Sequence, residues 1–210
     1  MELTGYQHIL IFGGSFDPPH RGHIQLPQHV KKIIHADAIL YIPAGNAPHK
    51  QHLKQTPAKH RLAMIRLATA SIADAFVSDI EIRWPSDEPT YTVKTLQKLR
   101  EAIPPQTKLT FLIGADMMRI FYQWHQSQKI LEMVDIAVML RPPDTAQALL
   151  ENLPSHADKK KWAARLIPAP QIDISSTHIR TLLVHAKDTS KMLQPNVQAY
   201  ISQHKLYQTS

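Results

Sequence analysis

Apolar residues along this chain follow two rhythms. Short, nearly continuous apolar runs with β-branched residues stand at positions 8–12, 38–43, 75–82, 108–113, 135–140 and 165–167. Runs of this kind read as buried strands. Between them the apolar positions spread to a helical spacing: Leu26, Val30, Ile33 and Ile34, then Leu62, Ile65 and Leu67, then Val93, Leu96 and Leu99. The closing "PNVQAYISQHKLY", with Val197, Tyr200, Ile201 and Leu206, predicts a final helix. Strand alternating with helix predicts a doubly wound α/β fold, a mainly parallel sheet flanked by helices, which binds ligands beyond the carboxyl ends of its strands.

The proline-rich joints at 85–89, 104–105, 142–143 and 168–170 read as loops, because the strand–helix rhythm continues through them. Pro27 is tolerated early in its helix if that helix begins near Gly22. One domain is expected over residues 1–210, with a C-terminal helical part from about 175 completing an active site. No run of about 18 or more apolar residues offers a membrane span, and "MELTGYQ" lacks a signal-peptide layout, so a cytoplasmic location is expected. The absence of cysteine removes disulfides and thiolate metal ligands. The net charge of +7 points to an anionic partner. Its basic residues are dispersed, however, and the one cluster, Lys159–Lys161, reads as a solvated loop or helix end.

The first strand runs into "GGSFDPPHRGH", Gly13 to His23. Gly13 and Gly14 at a strand end, followed by a helix near Gly22, make a phosphate-binding position. Glycine permits unusual φ and close ligand approach, and a helix N-terminus offers N–H groups to an anion. Pro18 and Pro19 stiffen the turn that aims His20, and His23 lies one helical turn along on the same face. A zinc site needs at least three protein ligands, and no further histidine or carboxylate stands at a recognised metal spacing. A purely structural role leaves the glycines unexplained. Donation of hydrogen bonds to a triphosphate uses every unusual residue in the stretch.

This stretch resembles the signature of the HxGH nucleotidyltransferase superfamily, and specifically of the bacterial nicotinate-nucleotide adenylyltransferases. The likeness recurs in order. "IPAGNAPHK" (42–50), "RLAMIRLA" (61–68), "TYTVKTL" (90–96), "FLIGADMM" (111–118) with Trp124 after it, Arg141–Pro142, "ISSTHIR" (174–180) and "PNVQAYI" each have a counterpart in that family. Thr90 stands where the family commonly has serine, Ala47 where it has proline, and Lys94 where aspartate is frequent.

The resemblance implies a Rossmann-like fold and transfer of the adenylyl group of ATP to nicotinate mononucleotide, giving nicotinate adenine dinucleotide and pyrophosphate in NAD biosynthesis. It implies His20, His23 and Arg180 as catalytic groups. It places Gly13, Gly14, Ser15, Phe16, Gly22, Gly114, Asp116, Ser175, Ser176 and Thr177 at ATP, with Asp116 also near the ribose hydroxyls between the two substrates. It places Lys50, Thr90, Tyr91, Thr92 and Trp124 at the mononucleotide, with Lys50 a phosphate contact. The hydroxyls of Ser175 to Thr177 would face the outer phosphates, with Arg180 forking onto them. Mg2+ would arrive with ATP, since no dedicated carboxylate cage is visible. Lys94, in a helical "TVKTL", is expected to face solvent.

The nearest rival, the pantetheine-phosphate adenylyltransferases, normally carries threonine where His20 stands and lacks the "TYT" and "GADMM" segments. A nucleic-acid-binding module is disfavoured, because no aromatic-interleaved basic stripe or groove-reading helix is present. Neither nucleic acid nor membrane is an expected partner, and a homo-oligomer is compatible with the sequence.

Overall fold

A computed structural model describes residues 3–46, 55–85 and 88–208. Its strands are β1 (His8–Gly14), β2 (Ala38–Pro43), β3 (Ala75–Val77), β4 (Lys108–Gly114), β5 (Asp135–Leu140) and β6 (Leu166–Pro168). Its helices are α1 (Arg21–Ile33), α2 (Ala58–Thr69), α3 (Thr92–Ala102), α4 (Ala115–Arg119), α5 (Ser127–Met133), α6 (Ala146–Glu151), α7 (Lys159–Arg165), α8 (Ser176–Val184) and α9 (Pro195–Gln203). The sheet order is β3-β2-β1-β4-β5-β6. The order reverses at β1, as in a doubly wound sheet. β1 pairs in parallel with β4, β4 with β5, and β5 with β6.

The chain divides into two compact units, neither of them a continuous stretch. One comprises Met1–Phe12, Pro27–Ile39 and Tyr91–Gln171, the other Gly13–Leu26, Leu40–Thr90 and Ile172–Ser210. In the first, Ile9, Leu10 and Ile11 of β1, Leu109 and Leu112 of β4 and Val138 of β5 are buried. Val93, Leu96 and Leu99 of α3 are buried with them. In the second, Leu40, Tyr41 and Ile42 of β2, Met64 and Ile65 of α2, and Val197 and Ile201 of α9 are buried. Every residue of β2 is buried, which is why it is apolar throughout rather than alternating.

The differences from the sequence expectations have local causes. β3 stops at Val77 instead of 82, because Ser78 leaves the strand and residues 80–83 form turns. The buried face of α2 is Arg61, Met64, Ile65, Ala68 and Thr69, so Leu62 and Leu67 are only half-buried. Two polar residues on that face broke the apolar spacing. Ile33 is 47 % exposed, so α1 ends its buried stripe at Val30. Pro27 is the seventh residue of α1 and cannot donate to the carbonyl of His23. Leu206 lies beyond α9, in a turn.

Candidate active site

β1 ends at Gly14, and the chain reaches α1 through Ser15 to His20. The expectation that its glycines supply unusual φ is corrected. Among the described residues no glycine has positive φ, whereas Phe16 does (φ 50°). The glycines instead give room. A Cβ on Gly14 would come within 2.9 Å of the Phe16 ring, and one on Gly22 within 3.1 Å of the His20 imidazole. Phe16 is buried against Tyr41 and meets the His23 ring edge to face at 5.2 Å between centroids.

The His20 and His23 rings stack at 3.7 Å between centroids, 29° from parallel. The backbone N–H of His20 donates to Nδ1 of His23 (3.2 Å). That bond makes Nδ1 an acceptor, so the neutral His23 ring carries its proton on Nε2 and presents a donor there. Two first-turn N–H groups of α1 are already used, that of Arg21 on the carbonyl of Met192 (2.9 Å) and that of His23 on the carbonyl of His20 (2.9 Å).

In the same unit, Ser175 caps α8, accepting from the N–H of His178 (3.2 Å). The expectation that three hydroxyls face a ligand is narrowed. Ser176 donates its hydroxyl to the carbonyl of Pro18 (2.8 Å), and Thr177 Oγ1 accepts from Arg180 Nη2 (3.2 Å). Arg180 Nη1 also donates to the carbonyl of Asp17 (2.7 Å). Through these bonds α8 is fastened to the loop that leads to His20.

Sequence reasoning missed three residues around that loop. Asp17 is 5 % exposed, and its carboxylate accepts from the Tyr207 hydroxyl (2.6 Å) and the Thr56 N–H (3.1 Å). Arg61, 3 % exposed, donates from Nε to the carbonyl of Thr56 (3.0 Å) and from Nη1 to that of Ser15 (2.9 Å). Burial pushes its guanidinium pKa down, and the negative charge of Asp17 opposes that shift. Burial, and then the hydrogen bond to Asp17, push the Tyr207 phenol well above its ordinary range, so it remains a donor. The available signal was Arg61, a charge on a mostly apolar helix face.

The remaining expected residues fall as follows. Lys50, in the "APHK" segment, lies outside the described residues. Thr90, in the unit of the opening loop, is buried, and its N–H donates to the carbonyl of Asn46 (3.0 Å). That N–H is therefore committed. In the other unit, Tyr91 is the N-cap of α3 and its ring lies 4.5 Å from that of His125. Thr92 opens α3, and Lys94 is exposed, as expected. Trp124 is half-buried, packed against Phe121 (5.4 Å between centroids) and Phe111 (6.2 Å). Its Nε1 is buried with no hydrogen-bond partner among the described residues. Gly114 caps α4 with its backbone extended, and a Cβ there would overlap the carboxylate of Asp116, at 2.4 Å. The glycine is what lets Asp116 fold back over the end of β4.

A family model described as cytidylyltransferase-like matches residues 11–182. A protein of Thermomicrobium roseum, named a probable nicotinate-nucleotide adenylyltransferase, is 33 % identical over 95 % of this chain and 91 % of its own length. One of the same name from a Synechococcus strain is 34 % identical over 96 % of this chain and 95 % of its own. The chain belongs to the nicotinate-nucleotide adenylyltransferases. A Plasmodium falciparum nicotinic acid mononucleotide adenylyltransferase, solved in complex with NaAD, matches the fold with TM-score 0.74 at 22 % identity, over 96 % of this chain and 97 % of that one. The stretch containing His20 and His23 falls inside the residues matched by that family model. Among the described residues no three His, Cys, Asp or Glu side chains are gathered as a protein-held metal would need.

Proposed function

We propose that this chain transfers the adenylyl group of MgATP to nicotinate mononucleotide. A phosphate oxygen of the mononucleotide forms a bond to the α-phosphorus. The bond from that phosphorus to the oxygen bridging to the β-phosphate breaks, and its electron pair leaves with pyrophosphate. The attacking phosphate has a second pKa near ~6 and is mostly dianionic at neutral pH, so no side chain has to act as a base. Magnesium enters bound to the triphosphate as part of the substrate, and among the described residues no three carboxylate or imidazole side chains are gathered to hold it separately.

The protein's work is then to hold two anions in line and to neutralise charge on the α-phosphate and the leaving group. Nε2–H of His23 and the stacked His20 ring supply donors at the head of α1. The N–H groups of Ser176 and Thr177 at the start of α8 and the remaining N–H groups of Arg180 receive the outer phosphates, the His178 N–H being taken by Ser175. Asp116 reaches the ribose hydroxyls. Thr92 and Trp124 hold the pyridine ring and its acid group, and Lys50 contacts a mononucleotide phosphate.

The reading rests above all on full-length likeness to the named relatives. It is tested by pyrophosphate release from MgATP with a panel of phosphorylated acceptors: nicotinate mononucleotide, its amide, and phosphopantetheine. Turnover with the first, reduced about 100-fold or more in His20→Ala and His23→Ala and partly restored by asparagine, is expected from donors contributing roughly 2–4 kcal/mol each. Turnover with phosphopantetheine alone would move the chain to the neighbouring activity, and full activity in both alanine variants would remove the histidines from the site.

A further inference from the structure

Beyond α9 the chain turns back on itself. The N–H of Leu206 donates to the carbonyl of Ile201 (3.0 Å), and that of Lys205 to Ser202 (3.2 Å). Lys205 and Tyr207 both sit in the left-handed region, at φ 50° and 61°. That conformation is unfavourable for an aromatic residue. Surrounding structure must therefore hold Tyr207 there, and the bonds at its ring tip identify what does so.

The phenol hydroxyl donates to Asp17 Oδ1 at 2.6 Å. The other oxygen of the same carboxylate takes the Thr56 N–H, the Asp17 carbonyl takes Arg180 Nη1, and Arg61 ties the carbonyl of Ser15 to that of Thr56. Asp17 is thus fixed on three sides, two residues of proline before His20. Of its three partners, Arg180 lies on α8 and Thr56 two residues before α2. Tyr207 comes from the turn beyond α9.

We infer that Tyr207 is a positioning residue for the adenylyl transfer proposed above: through Asp17 it holds the loop that carries His20 in its working place. The inference rests on that functional reading for its kinetic consequences but not for its structural ones. Without the phenol donor, one lobe of a buried carboxylate loses its partner, and the loop relaxes toward a new one. A displacement of about 1 Å in a phosphate-positioning group can reduce turnover on the order of 100-fold. Binding, shared among many contacts, responds far less.

The test is Tyr207→Phe in the full chain, which keeps the ring and removes only the hydroxyl. Expected are a fall in kcat of about 10- to 100-fold and a KM for MgATP within about threefold of the parent. Faster amide hydrogen exchange is expected across residues 15–20, in a protein that melts well above the assay temperature. Placing 4-aminophenylalanine at position 207, which returns an N–H donor to the ring tip, recovers most of kcat. Leu206→Ala loosens the same turn without touching the bond and is expected to keep kcat within about twofold. The inference is overturned by parental kcat in Tyr207→Phe, by loss confined to KM, by failure of the donor analogue to rescue, or by an equal loss in Leu206→Ala. Should the parent release no pyrophosphate with nicotinate mononucleotide, the functional reading fails. Unchanged exchange at 15–20 in Tyr207→Phe sinks the positioning role independently of turnover.

Discussion

Arg180 shows how one side chain serves two masters. Its guanidinium holds the Asp17 carbonyl (2.7 Å) and Thr177 Oγ1 (3.2 Å) at once, which only a planar fork of donors can do while leaving N–H groups for an anion. Lysine at this position keeps the charge and loses the geometry. A charged hydrogen bond contributes roughly 1.5–3 kcal/mol, so Arg180→Lys should weaken MgATP binding about tenfold or more and affect the mononucleotide less. Isothermal titration with each substrate separately measures this, and unchanged MgATP affinity would contradict the assignment. The motif "ISSTHIR" announced a cradle, but not that Ser176 spends its hydroxyl on Pro18 (2.8 Å). Which donors remain available to a ligand depends on neighbours distant in sequence.

Among the elements, β1 begins with a titratable residue. His8 is buried, and its Nε2 lies 2.8 Å from Thr110 Oγ1 of β4. Burial, and next the charge of Lys108, lower its pKa from the ordinary 6.5, while His35, Asp37 and Asp135 pull it back up. Lys161 and Arg165 of α7 line the same cleft. Because the folded state holds the His8 proton less tightly than the unfolded chain does, its neutral form contributes stability above pH 6.5. That contribution is lost as pH falls below 6.5 through the lowered folded value. His60, lowered by burial and by Lys59, acts in the same direction. In denaturant titrations at pH 7.5 and 5.5, His8→Gln should lose less stability on acidification than the parent. An identical loss in both proteins would show that β1 does not carry the effect. Strand existence was readable from apolar runs, and strand length was not: β3 ended where Ser78 turned away, a decision of the chain's neighbours rather than of its composition.

For the whole molecule the net charge of +7 suits two anionic substrates, but discrimination between them requires specific donors. Nicotinate mononucleotide carries a carboxylate that only accepts hydrogen bonds, and its amide counterpart also presents an NH2. Thr90's N–H is committed to Asn46. On the binding proposed above, the donors offered to the acid group would be the N–H groups of Thr92 and Val93 at the start of α3, that of Lys94 being taken by the Tyr91 carbonyl, and Nε1 of Trp124, which is buried without a partner among the described residues. Facing donors with an NH2 group is unfavourable, and such mismatches discriminate by several kcal/mol, about 100-fold or more in rate. We therefore expect kcat/KM for the acid to exceed that for the amide, and expect Trp124→Phe to narrow the gap. Exposed Lys94, replaced by alanine, should leave it intact. Equal kcat/KM for acid and amide in the parent would remove the donor argument.

The six strands in chain order, helices α1 to α3, α8 and α9, and the glycine-rich turn after β1 were legible in the sequence alone, because strand runs, helical spacing and an eleven-residue motif are local properties, whereas the short helices α4 to α7 were not. Tertiary structure decided how that motif is held. Its glycines serve ring packing rather than backbone freedom, and its aspartate is gripped from position 207. Steric room and hydrogen-bond partners are supplied by whatever the fold brings alongside, and no local spacing encodes that company.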